Sequence, residues 1–415
     1  MIDTNTPEVI ETRRCIYCFR DKPLDQYSFE HIWPDALGGK LCPDLFKTHE
    51  VCAHCNNTCG LFVDGAFIKS WFVQLEIVNQ AYRFLDPRRP SPAPLLYFGI
   101  EPKVSTEDDE ICERWQGLAG ERVYHFHLAD EARWNAFAGG DTIRRKKKDP
   151  GRAYLALTSA EEYWAFTAAL SFREQFSAAK RCVITEVASD EPEDARVLEV
   201  LFPRPDKSDP QQVRDIASLA TAVETTSTVV RAAVQGDFDS RFLCKLALGL
   251  GHKILGSQHG ESRYGAELRQ GLWARDPAAR QDLKIGGSGM LGEVHGSIPQ
   301  EIRTLMSWPG AWSLCIWKHG DELAAQIRSP SGNLQSVVIA NELSKYEGVD
   351  LRGYRDGQMF FISLPGQSFL GPVGLPEFLA HKMGVQAVPE LAEAALREIQ
   401  EAALPPKNLP PRDAN

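Results

Sequence analysis

Cys15-Ile16-Tyr17-Cys18, Glu30-His31-Ile32-Trp33-Pro34-Asp35-Ala36-Leu37-Gly38-Gly39 and Val51-Cys52-Ala53-His54-Cys55-Asn56-Asn57 are the passages that decide how the start of this chain folds. The outer two each carry a C-x2-C knuckle, and two knuckles can enclose one tetrahedral zinc with four thiolates. Residues 19–51 lie between them, a span long for a zinc ribbon but sufficient for an inserted β-hairpin. Four thiolates close the coordination sphere, so the zinc expected on Cys15, Cys18, Cys52 and Cys55 is structural. A short segment with little apolar core gains from such a staple. Cys42 and Cys59 stand singly and are expected to be spectators.

The passage between the knuckles is polar and titratable. Tyr27-Ser28-Phe29 has a strand-like composition, and a strand ending in Glu30-His31 sends the two side chains to opposite faces unless a bend gathers them. Imidazole has an ordinary pKa of ~6.5, so His31 can take a proton from water at neutral pH. Glu30 is a hard oxygen donor suited to Mg2+ or Mn2+, and Asn56, opening a helix after the last cysteine, can offer an amide oxygen to the same ion. His54 is expected on the helix surface, and Asn57 is the fallback for Asn56 should the helix phase differ by one.

Read together, the motifs C-x2-C, (D/E)-H-I-x-P-x-x-x-G-G and C-x2-C-(N/H) resemble the cysteine-bearing branch of the HNH endonucleases, over residues 13 to about 70. The resemblance implies a ββα-metal core. It also implies His31 as general base on the attacking water, Glu30 and Asn56 on one divalent cation (Mg2+ or Mn2+) at the scissile phosphate, and products with a 5′-phosphate and a 3′-hydroxyl. Nucleic acid is the implied partner, with DNA favoured, and anti-phage defence or restriction is the implied setting. One departure stands out. The family's middle Asn, which orients the catalytic histidine, would fall at Lys47, Thr48 or His49, and none of these is Asn. That departure is the best support for the alternative, a non-catalytic zinc module that binds nucleic acid or protein.

The fold expected for the whole chain is α+β: a zinc-stapled module at 10–75, a mixed α/β region at 93–205, a C-terminal α+β region at 213–403 for recognition or regulation, and a disordered tail at 404–415. Asp86 to Pro92 reads as a linker. Expected strands are Leu95–Phe98, Val123–Leu128, Tyr154–Leu157, Val197–Phe202, Ser313–Trp317, Ser336–Ala340 and Gln358–Leu364. Expected helices run from a capping box at Ser159 to about Lys180, from Thr221 to about Leu255, and from Pro389 to Ala403.

Three further passages tempt a functional reading. Gly287-Ser288-Gly289-Met290-Leu291-Gly292 spells GxGxxG, but the text after it breaks at Gly296 and Pro299, which favours a glycine-rich loop over a dinucleotide site. His125 and His127 share a strand face with no third ligand evident. Arg241 to Lys253 reads as a buried helix with Lys245 and His252 on one face, expected to be core packing.

Composition narrows the class. With 43% hydrophobic and 25% charged residues, the chain is an ordinary globular one. No run approaches the ~20 apolar residues of a membrane helix, and Met1 to Thr12 lacks the apolar core of a signal peptide. Six of the ten cysteines fall between Cys15 and Cys59, a pattern of metal binding in a reducing compartment rather than of disulfides, so a cytoplasmic location is expected. The net charge of −10 demands that any phosphate contact be local. Arg144-Arg145-Lys146-Lys147-Lys148, with Arg152, is the one dense cationic run, and taken alone it reads as a solvated loop.

Overall fold

Strands β1 (Thr12–Arg14) and β2 (Asp21–Pro23) form a small antiparallel ribbon that carries the first knuckle. Next come β3 (Tyr27–His31) and β4 (Lys47–Cys52), an antiparallel pair whose register slips between Ser28 and Glu30. Helix α1 (Ala53–Cys59) begins inside the second knuckle, and the chain continues through a π-turn (Gly60–Asp64) into α2 (Gly65–Ile68). This is the ββα arrangement expected for the first module. In the computed structural model the described residues are 11–84, 95–101, 104, 106, 109–118, 120–128, 151–157, 162–185, 202–223, 236–274, 276, 278–290, 299–308, 310–364 and 366–393.

The middle of the chain opens with α3 (Trp71–Phe84). It then builds a five-stranded sheet from β5 (Leu96–Ile100), β6 (Glu110–Gln116), β7 (Arg122–Leu128), β8 (Arg152–Leu157) and β9 (Lys180–Thr185), in that spatial order. Helix α4 (Glu162–Gln175) makes the parallel crossover from β8 to β9. One face of the sheet buries Trp115, Val123 and Leu155 with Phe172 and Phe176 of the crossover segment. The other buries Tyr124, Phe126 and Tyr154 against Leu219 of α5 (Pro210–Val223). Strands β6 and β9 escape a sequence reading because charged residues interrupt their apolar positions. Residues 197–201 of the strand expected at Val197–Phe202, the 86–92 linker, the 144–148 cationic run and the 404–415 tail lie outside the described residues. Arg152 is a structural residue, held by Asp215 at 2.6 Å and Glu110 at 2.8 Å.

After residue 235 the chain forms α6 (Gly236–Leu255) and α7 (Arg263–Trp273). A six-stranded antiparallel sheet follows, made of β10 (Gly287–Ser288), β11 (Trp312–His319), β12 (Glu322–Arg328), β13 (Leu334–Ala340), β14 (Gln358–Ser363) and β15 (Ser368–Gly374), ordered β10-β13-β12-β11-β14-β15. A further helix, α8 (Leu375–Lys382), packs Phe378 on Phe361. Gly287 and Ser288 of the GxGxxG text are an edge strand paired with Val337 and Ser336, a setting unlike the strand–turn–helix of a dinucleotide loop. The last expected helix does begin at Pro389.

The chain divides into two compact units: residues 1–68 with 236–396, and residues 69–235 with 397–415. The zinc-knuckle module therefore shares a unit with the C-terminal region, although the whole middle region separates them in sequence. Aromatic packing joins them. Phe67 stacks on Phe242 of α6 at 3.9 Å between ring centroids, Trp33 meets Phe242 at 6.0 Å and Trp312 at 5.8 Å, and Phe46 meets Phe360 at 5.4 Å. Gly249 lets the α6 backbone touch Ile32, since a Cβ there would lie 2.6 Å from the Ile32 Cγ2. Trp273 donates its indole N–H to the Tyr17 carbonyl at 2.8 Å. Phe242→Ala should therefore cost about 3–5 kcal/mol, read as a lower denaturation midpoint with an unchanged m-value. The loss should appear in tryptophan fluorescence, because Trp33 borders the void.

Candidate active site

The four expected zinc ligands converge. The sulfurs of Cys15, Cys18, Cys52 and Cys55 lie within 4.8 Å of one another, and all but Cys18 are buried. The Cys15 thiol is pulled down to about 5, chiefly by its hydrogen bond with Cys55, against the opposing effect of burial. Metal-binding clusters need such ready thiolates. Cys42 and Cys59 are buried outside the group, and burial pushes Cys42 up to about 12, so both are inert thiols. Zinc fits the tetrathiolate donor set on its own chemistry.

Glu30 and His31 part company at the end of β3. His31 remains about one-quarter exposed, its ring edge-on to Phe29 at 4.9 Å and its Nε2 4.0 Å from Asp35 Oδ1. Burial, with Lys47 and Lys245 adding to it, lowers the imidazole below its ordinary range against the pull of Asp35. The ring is thus neutral at neutral pH. Phe29 is itself exposed and also touches the ring of His49 at 5.0 Å. At the positions where an orienting Asn was sought, Lys47 pairs with His31 in the ladder, Thr48 is buried with its hydroxyl accepting from the Glu50 N–H, and His49 faces Phe29.

Glu30 is buried, 3% exposed. Its Oε1 accepts from the Tyr17 hydroxyl at 3.2 Å and forms an ion pair with Lys245 Nζ at 2.7 Å. Lys245, wholly buried on α6, also binds Asp64 Oδ2 at 2.6 Å and donates to the His31 carbonyl at 3.0 Å. Burial alone would lower the ammonium pKa, but Asp64 and Glu30 outweigh it and hold it above the ordinary lysine value. Asp64 goes the other way from an ordinary ion-paired acid, because burial raises it to about 6 in spite of Lys245. Its Oδ1 is buried with no hydrogen-bond partner among the described residues. Two carboxylates thus share one ammonium, leaving one negative charge when all three are ionised.

Asn56 donates through Nδ2 to the Phe29 carbonyl at 2.7 Å and to Ser28 Oγ at 2.9 Å, clasping α1 to the bulge in β3. Its amide oxygen takes no part in those bonds. Asn57 and His54 are more exposed. Glu30 Oε2, Asn56 Oδ1 and Asp64 Oδ1 are hard oxygen atoms of the kind Mg2+ and Mn2+ select, so the donor chemistry fits a divalent cation.

Lys245, Asp64 and Tyr17 are absent from the sequence-derived set. Asp64 is the single acid in the apolar text from Gly60 to Phe67, and Lys245 is a cation amid Leu243, Cys244, Leu246 and Ala247. A charge in such a setting requires a partner of opposite sign, and that was the available signal.

Residues 15–72 match the family described as HNH endonuclease. This segment is an HNH module. Its four-cysteine cluster is consistent with a zinc-stapled member, and a larger α/β region follows it. No curated protein and no solved structure matches the chain. The match supports a nuclease acting on nucleic acid, and no helix among the described residues is long and apolar enough to cross a membrane.

Two outcomes test this site. Cys52→Ser should strip the bound zinc and lower the melting temperature, measured by metal analysis beside calorimetry. Lys245→Met should cost roughly 3–5 kcal/mol at pH 7, because two buried carboxylates lose their counter-charge. Without the ammonium, burial holds the folded-state pKa of Asp64 above its unfolded value. The deficit should then shrink as pH falls toward about 5, and Asp64→Asn in the same background should restore part of it.

Proposed function

We propose that the HNH module hydrolyses phosphodiester bonds in nucleic acid, DNA in preference to RNA, with His31 as the general base. The observation that carries this is the state of His31: a neutral, partly exposed imidazole at a strand end, beside an exposed Phe29, in a segment matching the HNH endonuclease family. His31 takes a proton from water, the water oxygen bonds to phosphorus, the bond to the 3′-oxygen breaks, and that oxygen takes a proton from solvent, giving a 5′-phosphate and a 3′-hydroxyl. Asp35 faces the charge that develops on the imidazolium. Exposed Phe29 offers a face on which a base or sugar can rest.

Glu30 and Asn56, with Asp64 as a further oxygen, are the residues that would hold the divalent cation. Such an ion, Mg2+ or Mn2+, supplies charge stabilisation at the phosphate and at the departing 3′-oxygen. Lys245 fixes Glu30 in one orientation and offsets part of the repulsion between its carboxylate and Asp64. The zinc on the four cysteines holds hairpin and helix together without touching substrate. A setting in anti-phage defence or restriction follows only by analogy with multidomain members of the family.

The second reading, a zinc module that binds nucleic acid or protein without cutting it, draws on the Lys245–Glu30 pair, since an ammonium already neutralises the carboxylate expected to bind the cation.

Incubation with plasmid DNA and with RNA, with Mg2+, Mn2+ or chelator, separates the two. Cleavage should require the divalent ion, and His31→Ala should lower kcat by ~10²–10⁴-fold; cleavage indifferent to His31→Ala overturns the mechanism. Because His31 must be neutral and its pKa lies below the ordinary ~6.5, the acidic limb of the rate should fall below that value. Asp35→Asn removes a charge that raises the imidazole pKa, so it should shift the limb to still lower pH.

A further inference from the structure

A second ligand cluster lies in the other unit, far in sequence from the HNH module. The β6–β7 pairing sets Glu113 directly opposite His125, and His127 follows two residues later on the same face. All three are buried. His125 Nδ1 lies 3.5 Å, and His127 Nε2 3.2 Å, from one carboxylate oxygen, Glu113 Oε2. The two rings are 4.7 Å apart.

The tautomer of His127 follows from its other nitrogen. Nδ1 is 2.8 Å from the Leu128 carbonyl oxygen, and a carbonyl can only accept, so Nδ1 carries a hydrogen. That leaves Nε2, which faces a Glu113 carboxylate oxygen at 3.2 Å, as the nitrogen able to donate to a metal ion. A cation between an imidazole lone pair and a carboxylate oxygen holds the two together, and here two imidazoles address the same oxygen. A metal serves all three at once.

The distances agree with that. Ligand atoms bound at ~2.1 Å to a tetrahedral centre stand about 3.4 Å apart, and the two observed separations, 3.2 and 3.5 Å, bracket this edge. The Nδ1–H bond to the Leu128 carbonyl is the outer contact that ordinarily fixes a ligating histidine. Gly151, at φ +65°, closes over the cluster, since a Cβ there would lie 3.0 Å from both His125 Nε2 and His127 Cβ. Phe176 covers His125 edge-on at 5.2 Å.

We propose that Glu113 Oε2, His125 Nδ1 and His127 Nε2 bind a divalent transition-metal ion of the zinc class. Imidazole donors select zinc and its neighbours over Mg2+. The three side chains are at most 8% exposed, so the ion is enclosed and acts as a staple between β6 and β7.

The test is metal content of the intact, zinc-grown protein, with cobalt(II) as the optical probe. Wild type should carry two equivalents: one lost with Cys52→Ser, the other lost with Glu113→Gln and with His127→Gln. Cobalt(II) added to metal-free wild type should fill two sites, one with a thiolate charge-transfer band and one with ligand-field bands alone, a readout that needs no variant to fold. One equivalent in folded wild type, with only the thiolate signature, overturns the proposal and makes the cluster a buried imidazolium–carboxylate group. A second equivalent that survives both Glu113→Gln and His127→Gln also overturns it, because the ion then sits elsewhere.

Discussion

The ammonium of Lys245 is the interaction on which the architecture of the first unit turns. It is wholly buried, and it draws Glu30, Asp64 and the His31 carbonyl onto one point. A buried cation is tolerable only with such partners, and a buried pair of carboxylates is tolerable only with such a cation. Each side therefore requires the other. Lys245 belongs to α6, more than two hundred residues from Glu30, so this requirement ties the end of the HNH hairpin to the C-terminal region.

Aromatic packing and the cysteine cluster divide the remaining work. The four cysteines, a donor set that fits zinc, gather the two knuckles of a segment too short to bury a core of its own. Trp33, Phe46 and Phe67 pack on Phe242, Trp312, Phe360 and Phe369. An HNH module cut from the chain would keep its zinc ligands and expose those rings. The cysteine cluster secures local geometry, and the C-terminal region supplies the hydrophobic enclosure.

The HNH module was legible because its knuckles and its Glu-His-Ile-x-Pro text are contiguous motifs with fixed spacing. Most expected strands fall near observed ones for a similar reason, since Val123–Leu128 or Gln358–Leu364 are short apolar runs. What escaped was everything decided by pairing at a distance. Lys245 looked like one polar residue in an apolar helix because its partners, Glu30 and Asp64, are remote in sequence. His125 and His127 lacked a third ligand because β6, with Glu110, Glu113 and Arg114, has too many charges to read as a strand. The β6–β7 register is what sets Glu113 opposite His125.

The pleat of β3 explains why neighbouring residues have opposite fates. Alternation turns Glu30 inward and His31 outward, and at the slip after Ser28 Asn56 reaches the Phe29 carbonyl just before them. An inward carboxylate must be neutralised, which Lys245 does. An outward imidazole needs only enough cover to stay unprotonated, which partial burial and the nearby cations Lys47 and Lys245 provide. The same ammonium thus acts on both: it pairs with the buried carboxylate and disfavours the charged form of the imidazole. A one-residue shift of register would exchange the two, burying the histidine against the lysine and leaving the carboxylate in water. The bulge and the Asn56 clasp are therefore what keep an exposed base and a buried acid at adjacent positions.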